Sequence, residues 1–236
     1  MALADTLSTD IDTIFTTSWD IRDGRVVPKT EDVVLKGGAV KLDAVILYAD
    51  LFHSTALAQK TPRTTAAKVV RAYLSSMTRL ITAQGGSVRS FDGDRVMGIF
   101  VGDNKNTAAA KCALKMNYVV TKILRPKAKA QFGSITKNGI EIAHCAGIHR
   151  SEVLVVRGGV RGNNDLVFIG SAPNIAAKLS DIRNGNWHSY ITWKVYNSLH
   201  DEAKYGSDGR NMWTKATRKL AGAEWDLYRS TWHWKP

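Results

Sequence analysis

The segment Ala44-Val45-Ile46-Leu47-Tyr48-Ala49-Asp50 is a nearly continuous apolar run that ends on an acidic residue. Its length and composition are typical of a β-strand buried on both faces of a sheet. Apolar residues then recur at three- and four-residue spacings over residues 64–83, and Gly85-Gly86 follows them. This pattern predicts an amphipathic helix that ends before the glycine pair.

The remainder of the body continues the alternation of strands and helices. Residues 87–101 predict two strands joined by a tight turn at Asp92-Gly93. The later elements are predicted as a helix over 105–124, a basic loop over 126–129, strands near 141–149, 152–156 and 166–169, and a helix that opens at Ser171 and Pro173. The order strand, helix, strand, strand, helix, strand predicts an α+β fold with a ferredoxin-like βαββαβ core and a C-terminal extension.

The N-terminal region, residues 1–39, differs in pattern from the body, residues 40–236. Between residues 2 and 19 apolar side chains lie at helical spacing: Leu3, Leu7, Ile11, Ile14 and Phe15. A polar stretch with Pro28 and Gly37-Gly38 follows, and we interpret it as an extended arm. Because so short a helix is unstable alone, we expect it to pack on the body or to clasp a second copy of the chain.

Charge is distributed unevenly along the 236 residues. The chain has 33 Lys and Arg against 21 Asp and Glu, for a net charge of +12, but residues 1–50 hold nine acids and five bases. A basic body predicts a polyanionic partner, which is a nucleic acid, an anionic membrane or a small polyphosphate. Two cysteines, no apolar run of roughly 18 residues and no signal-peptide pattern favour one soluble domain in the cytoplasm, without a membrane partner.

Asp50 and Asp94 are the first candidate functional pair. Each alone is explained by strand-end or turn chemistry, in which Asp is common. In a ferredoxin-like sheet, however, the first strand lies beside the hairpin that carries Asp94, so the two carboxylates converge. Two neighbouring carboxylates repel each other unless a cation lies between them, and Mg²⁺ or Mn²⁺ bound also by substrate phosphates suits such a site.

The turn after Asp50 is a candidate phosphate-binding segment. The backbone amides from Leu51 to Thr55 enter a predicted helix and are positioned to surround an anion. The chain contains no Gly-Lys-Ser or Gly-Lys-Thr, so a nucleotide is not bound by a Walker loop.

Asn174 and Lys178 are a second candidate pair. Their four-residue spacing puts them on one face of the predicted helix. Such a face is usually only solvated. Beside a two-carboxylate metal site, these side chains are suitable donors for negative charge that develops on phosphorus.

Four segments together resemble the catalytic domain of class III nucleotidyl cyclases over roughly residues 40–230. They are Tyr48-Ala49-Asp50-Leu51-Phe52-His53-Ser54-Thr55, Phe91-Asp92-Gly93-Asp94-Arg95-Val96-Met97, Ala146-Gly147-Ile148-His149, and Ile169-Gly170-Ser171-Ala172-Pro173-Asn174-Ile175-Ala176-Ala177-Lys178-Leu179. The resemblance implies a nucleoside triphosphate substrate and a homodimer whose active sites lie at the interface.

The resemblance also assigns roles to individual residues. It implies that two divalent cations, Mn²⁺ or Mg²⁺, are bound at Asp50, Leu51 and Asp94, and that Asn174 stabilises the transition state. The family's transition-state arginine falls on Lys178, which keeps the charge but loses the bidentate fork. The substrate-binding segment of the family falls on the residues that follow the first aspartate: Phe52, His53, Ser54 and Thr55.

The positions that read the base in purine cyclases carry different types of residue in this sequence. They fall on Ser90 and Val167, so hydrogen-bonded selection of a purine is not expected. The segment from Ser90 to Met97, together with Tyr48, is similar to the bacterial pyrimidine cyclases of the Pycsar antiphage system. That similarity implies UTP or CTP as substrate and a cyclic pyrimidine nucleotide sensed by a separate effector. Tyr48 and Arg95 are the candidates for the smaller base pocket, against the alternative of a core tyrosine and a surface ion pair.

Two alternatives remain from the sequence alone. An adenylate or guanylate cyclase has the same metal and transition-state residues. A non-catalytic nucleotide-binding or RNA-binding ferredoxin-like module fits the isoelectric point of about 9.8. The RNA-binding alternative requires aromatic residues on adjacent strands in a basic RNP pattern, which is not found, so no direct nucleic-acid partner is expected.

Overall fold

A nine-stranded sheet forms the centre of the computed structural model, which describes residues 2–236. The strands are β1 Asp20–Asp23, β2 Gly38–Leu51, β3 Ser87–Asp92, β4 Arg95–Phe100, β5 His144–Val160, β6 Asn163–Ile169, β7 Ser189–Thr192, β8 Thr214–Leu220 and β9 Ala223–Ser230. The helices are α1 Leu3–Thr16, α2 Ser54–Lys60, α3 Arg63–Ala83, α4 Lys105–Tyr118, α5 Arg125–Gln131, α6 Gly133–Lys137, α7 Ser171–Ser180, α8 Trp193–Asn197 and α9 Asp201–Lys204.

The strand order confirms the predicted ferredoxin-like core. The sheet runs β3-β4-β2-β5-β7-β9-β8, and β2 is antiparallel to both β4 and β5. The last three strands are the predicted C-terminal extension, which joins the core through the parallel pairing of β7 with β5.

The two faces of β2 are covered by different helices because strand side chains alternate in direction. Val45, Leu47 and Ala49 pack in the core with residues of α3 and α4. Ala44 and Ile46 point to the other face, where they pack with residues of α7. The backbone of α7 lies very close to the sheet at Gly147, since a Cβ there would be 2.3 Å from the carbonyl oxygen of Ala176.

Three predicted elements differ in the structure. The strands expected at 141–149 and 152–156 are one strand, β5, because its register with β2 is unbroken from Leu51↔His144 to Ala39↔Val156. The loop expected at 126–129 is helical and lies within α5, with Pro126 in its first turn. The helix expected over 105–124 is α-helical only to Tyr118 and continues as a π-helix over Val119–Leu124.

The N-terminal helix forms as predicted, but its side chains do not pack on the body. None of the residues of α1 is buried, and its apolar face is exposed. The arm is more ordered than expected, because β1 pairs in parallel with residues 38–41 of β2 and Val33 is buried in the core. None of the helices within residues 2–236 has both the length and the apolar character to cross a membrane.

Candidate active site

Asp50 and Asp94 lie at the same edge of the sheet. Asp50 is the penultimate residue of β2, and the tight turn before β4 carries Asp94. The sheet register pairs Asp50 with Arg95, the residue next to Asp94. Asp50 is only 6% exposed, so its carboxylate is held in a largely dry environment.

The electrostatics of this pair suit a bound cation. One carboxylate oxygen of Asp94, Oδ2, is buried and has no hydrogen-bond partner. Burial raises the pKa of Asp94, and the nearby Asp50 charge raises it further, while a hydrogen bond from Ser54 opposes both effects. Residues 2–236 contain no group of three or more His, Cys, Asp or Glu side chains placed to bind a metal. A divalent cation here would therefore use these two carboxylates together with other oxygen ligands, an arrangement that suits Mg²⁺ or Mn²⁺.

Two arginines neutralise Asp50 in the structure. Its Oδ2 atom accepts a hydrogen bond from Arg95 Nη2 at 3.4 Å and a shorter one from Arg183 Nη2. Arg95 also forms an ion pair with Asp181, just beyond the end of α7. Neither Arg183 nor Asp181 belongs to one of the sequence motifs, so no sequence signal marks them as site residues.

The turn after Asp50 differs in part from the expected phosphate-binding segment. The backbone N–H of Phe52 donates to the carbonyl of Ala143 at 2.7 Å, so it is not available to an anion. The Phe52 ring instead lies beneath the Arg183 guanidinium, 4.0 Å from its centroid. His53 adopts a left-handed conformation, with φ of 62°, and α2 begins at the next residue. Thr55 is exposed in the first turn of this helix.

Tyr48 lies on β2, close to Asp50. It precedes Asp50 by two residues and therefore shares its face of β2. The hydroxyl of Tyr48 is 3.3 Å from the sulfur of Met97, and the Arg95 guanidinium is 5.9 Å from the ring centroid. Burial raises the pKa of this half-buried tyrosine. The two candidates for the base pocket, Tyr48 and Arg95, are thus neighbours.

The two positions that read purines in the family are exposed here. Ser90 lies on β3 and Val167 on β6. These strands approach each other, because Arg89, next to Ser90, forms an ion pair with Asp165 at 3.5 Å. Neither residue supplies a charged group to this surface.

Asn174 and Lys178 are both exposed on α7. Within residues 2–236, neither side chain forms a hydrogen bond or an ion pair. Asn174 is about 10 Å along the helix axis from Asp181, the residue that contacts Arg95 at the carboxylate site. The structure therefore does not bring these two side chains onto Asp50 and Asp94 of the same chain.

Comparison with known proteins identifies the family. No family model matches the sequence. A uridylate cyclase from Rhodovulum sp. (strain MB263) is 40% identical over 237 residues, covering 100% of this chain and 99% of that protein. A second uridylate cyclase, from Xanthomonas perforans, is 39% identical with the same coverage. The chain belongs to the class III nucleotidyl cyclases.

The fold of this nucleotidyl cyclase agrees with the assignment. The crystal structure of the adenylyl cyclase CyaB from P. aeruginosa superposes with a TM-score of 0.67 at 20% identity, over 81% of this chain and 95% of that one. The assignment decides between two of the alternatives left by the sequence: the protein is an enzyme, a lyase, and not a non-catalytic RNA-binding module.

His149, in one of the segments that resemble the family, is a buried packing residue. It is 3% exposed, its Nδ1 atom is 2.9 Å from the hydroxyl of Thr192, and its ring packs edge-on against Trp225. Burial lowers the pKa of His149 to about 4. The imidazole is therefore neutral at pH 7 and joins β5 to β7 beneath the N-terminus of α7.

Proposed function

We propose that this cyclase converts UTP, and less readily CTP, into the 3′,5′-cyclic nucleotide and pyrophosphate. The observation that carries the proposal is the pair Asp50 and Asp94, with one buried carboxylate oxygen that lacks a partner. Tyr48, the candidate for the base pocket, lies two residues before Asp50 on the same face of β2. Two uridylate cyclases of about the same length support the choice of a pyrimidine.

The reaction forms one bond and breaks another at the α-phosphorus. The ribose 3′-oxygen attacks the α-phosphorus, the bond from that phosphorus to the bridging oxygen breaks, pyrophosphate leaves, and the hydroxyl proton is released to solvent. Two divalent cations held by Asp50, Leu51 and Asp94 would lower the pKa of the 3′-hydroxyl and neutralise the leaving group. Asn174 donates to the charge that develops on the phosphoryl oxygens, and Lys178 approaches it as a point charge.

The arrangement of the base pocket favours a small base. Tyr48 fills space on the face of β2 that carries Asp50, and Arg95 lies over its ring. Ser90 and Val167 leave the purine-reading positions without a charged group. A site of this kind gains its selectivity from the size of the pocket and from Arg95, since a purine would lack its usual polar contacts.

Catalysis in this proposal requires a homodimer. Asn174 and Lys178 are free and exposed, and they are not brought onto the carboxylates of their own chain. A head-to-tail pair of subunits would place them over Asp50 and Asp94 of the other chain and form two equivalent sites. The exposed apolar face of α1 is the segment that we assign to the subunit contact.

The biological role follows from the resemblance to the Pycsar pyrimidine cyclases. The cyclic pyrimidine nucleotide would be a second messenger made on phage infection, and a separate effector would sense it. In that role the protein requires no direct nucleic-acid contact.

The test is product analysis with single substrates. Purified protein is incubated with Mn²⁺ and one nucleoside triphosphate at a time, and the products are identified by mass spectrometry. We expect cUMP from UTP, less cCMP from CTP, and no product from the Asp94→Asn variant, while Asp92→Asn in the same turn retains activity. A cyclic purine as the only product overturns the assignment of the base, and no cyclic product from any substrate overturns the proposed reaction.

A further inference from the structure

Arg183 has two anchors that do not depend on Asp50. Its Nη1 atom donates to the carbonyl of Ser180 at 2.6 Å, and its guanidinium stacks 4.0 Å from the centroid of the Phe52 ring. Together they hold the guanidinium at the rim of the carboxylate site, where the Arg183 side chain remains 38% exposed. The third contact is the ion pair with Asp50.

The ion pair with Asp50 cannot persist when a cation binds there. The same oxygen, Oδ2, accepts hydrogen bonds from both Arg183 and Arg95. A divalent cation on that oxygen would lie next to two guanidinium groups and would repel both. The guanidinium groups therefore compete with the cation for Asp50.

Arg95 and Arg183 differ in the acidic partners that they keep when a cation occupies Asp50. Arg95 keeps a second acidic partner, Asp181. Among residues 2–236, Asp50 is the only acidic partner of Arg183. Its two anchors would still hold it at the rim, with a free fork of N–H donors, and this geometry matches a phosphate group.

We propose that Arg183 is a substrate-binding residue: it neutralises Asp50 in the cation-free protein and binds the triphosphate once a divalent cation occupies Asp50. This assignment rests on the proposed function, because it takes a nucleoside triphosphate as the ligand. Arg183 would also be a bidentate donor in the subunit that carries the carboxylates, whereas Lys178 provides only a point charge.

The experiment separates cation binding from phosphate binding and uses no turnover. Mn²⁺ binding to the protein alone is measured by electron paramagnetic resonance, and binding of inorganic tripolyphosphate in the presence of Mn²⁺ is measured by calorimetry. Arg183→Met removes the guanidinium, and Arg183→Lys retains a charge. The matched control is Arg150→Met, because Arg150 also pairs with an aspartate of β2, Asp43, far from the site.

The expected changes have opposite signs. Arg183→Met should bind Mn²⁺ at least about threefold more tightly, because a competitor of the cation is gone. It should bind tripolyphosphate at least about tenfold more weakly, because one charge-assisted hydrogen bond is lost. Arg183→Lys should lose less tripolyphosphate affinity than Arg183→Met, and Arg150→Met should change neither affinity.

Two results would overturn the assignment. One is an unchanged tripolyphosphate affinity in both Arg183 variants, and the other is weaker Mn²⁺ binding in both, which would indicate a merely structural role. The outcome is independent of product formation. If the Arg183 variants show the expected changes in affinity but the wild type forms no cyclic nucleotide, the proposed function is refuted and the role of Arg183 in phosphate binding is retained.

Discussion

Replacing Asp94 with Asn should abolish cyclisation and at the same time stabilise the metal-free protein. The Oδ2 atom of Asp94 is buried without a partner, and burial and Asp50 together raise the pKa of this carboxyl. A buried polar atom without a partner costs about 1–3 kcal/mol. Because Asn removes the charge but keeps an oxygen, we expect it to recover about 1 kcal/mol of unfolding free energy. For a chain of this size that is roughly 2–4 °C in Tm.

The stability that Asp94→Asn gains over the wild type should decrease at low pH and in the presence of Mn²⁺. An aspartate whose pKa is raised on folding destabilises the protein above that pKa, and the penalty disappears below the pKa of the unfolded chain, where both states are protonated. The advantage of Asp94→Asn should therefore be present at pH 7.5 and fade as the pH falls through the acidic range. Mn²⁺ at ten times its Kd stabilises the wild type by about 1.4 kcal/mol, which would reverse the order of the two proteins.

The assay is thermal unfolding of both proteins at pH 7.5, in EDTA and in Mn²⁺. Asp92→Asn is the matched control, because Asp92 lies in the same turn and is exposed. We expect this control to behave as the wild type in both buffers. The reasoning is refuted if Asp94→Asn is less stable than the wild type in EDTA, or if Mn²⁺ stabilises the variant as much as it stabilises the wild type.

Three further predictions concern the interface and the core. Asp50→Ala and Asn174→Ala should each be inactive and should regain activity when mixed, up to about a quarter of wild type if subunits pair at random; heterodimers without activity would contradict shared sites. Deleting residues 2–17 should weaken the dimer on a sizing column and leave the far-ultraviolet spectrum of the body intact; an unchanged elution volume would contradict a role for α1. The pKa of His149 is about 4 in the folded protein and about 6.5 in an unfolded chain. The free energy of unfolding of the wild type should therefore fall by about 2 kcal/mol from pH 7.5 to pH 5 on account of this residue. Urea titrations of His149→Gln should show a shallower pH dependence, and an equal slope would contradict the assignment.

Local patterns were sufficient to predict much of the fold and the positions of the carboxylates. The apolar run before Asp50 predicted the central strand, and the Asp92-Gly93 turn predicted the hairpin that carries Asp94. Because strand order follows from the ferredoxin-like topology, their convergence was also predictable. These features depend on residues that are close in sequence or on a connection of known handedness.

Other features depend on contacts between distant segments and carried no sequence signal. Arg183 lies 133 residues from Asp50, so only the approach of α7 to the sheet brings them together. Two separate strands were expected at 141–149 and 152–156, but Arg150, which lies between them, pairs with Asp43 of β2 and the strand continues. The backbone N–H of Phe52 was predicted to be free, and only the tertiary structure places Ala143 opposite it.

The most direct test of the central claim is competition among substrates in one reaction. Wild-type protein receives ATP, GTP, CTP and UTP at equal concentrations with Mn²⁺, and the cyclic products are counted by mass spectrometry at low conversion. Product ratios then report the ratios of kcat/KM without separate kinetic curves. A pyrimidine nucleotide cyclase yields cUMP as the main product, with cCMP next and cyclic purines at trace level. A product mixture dominated by cAMP or cGMP would contradict the proposed roles of Tyr48 and Arg95 in selecting the base.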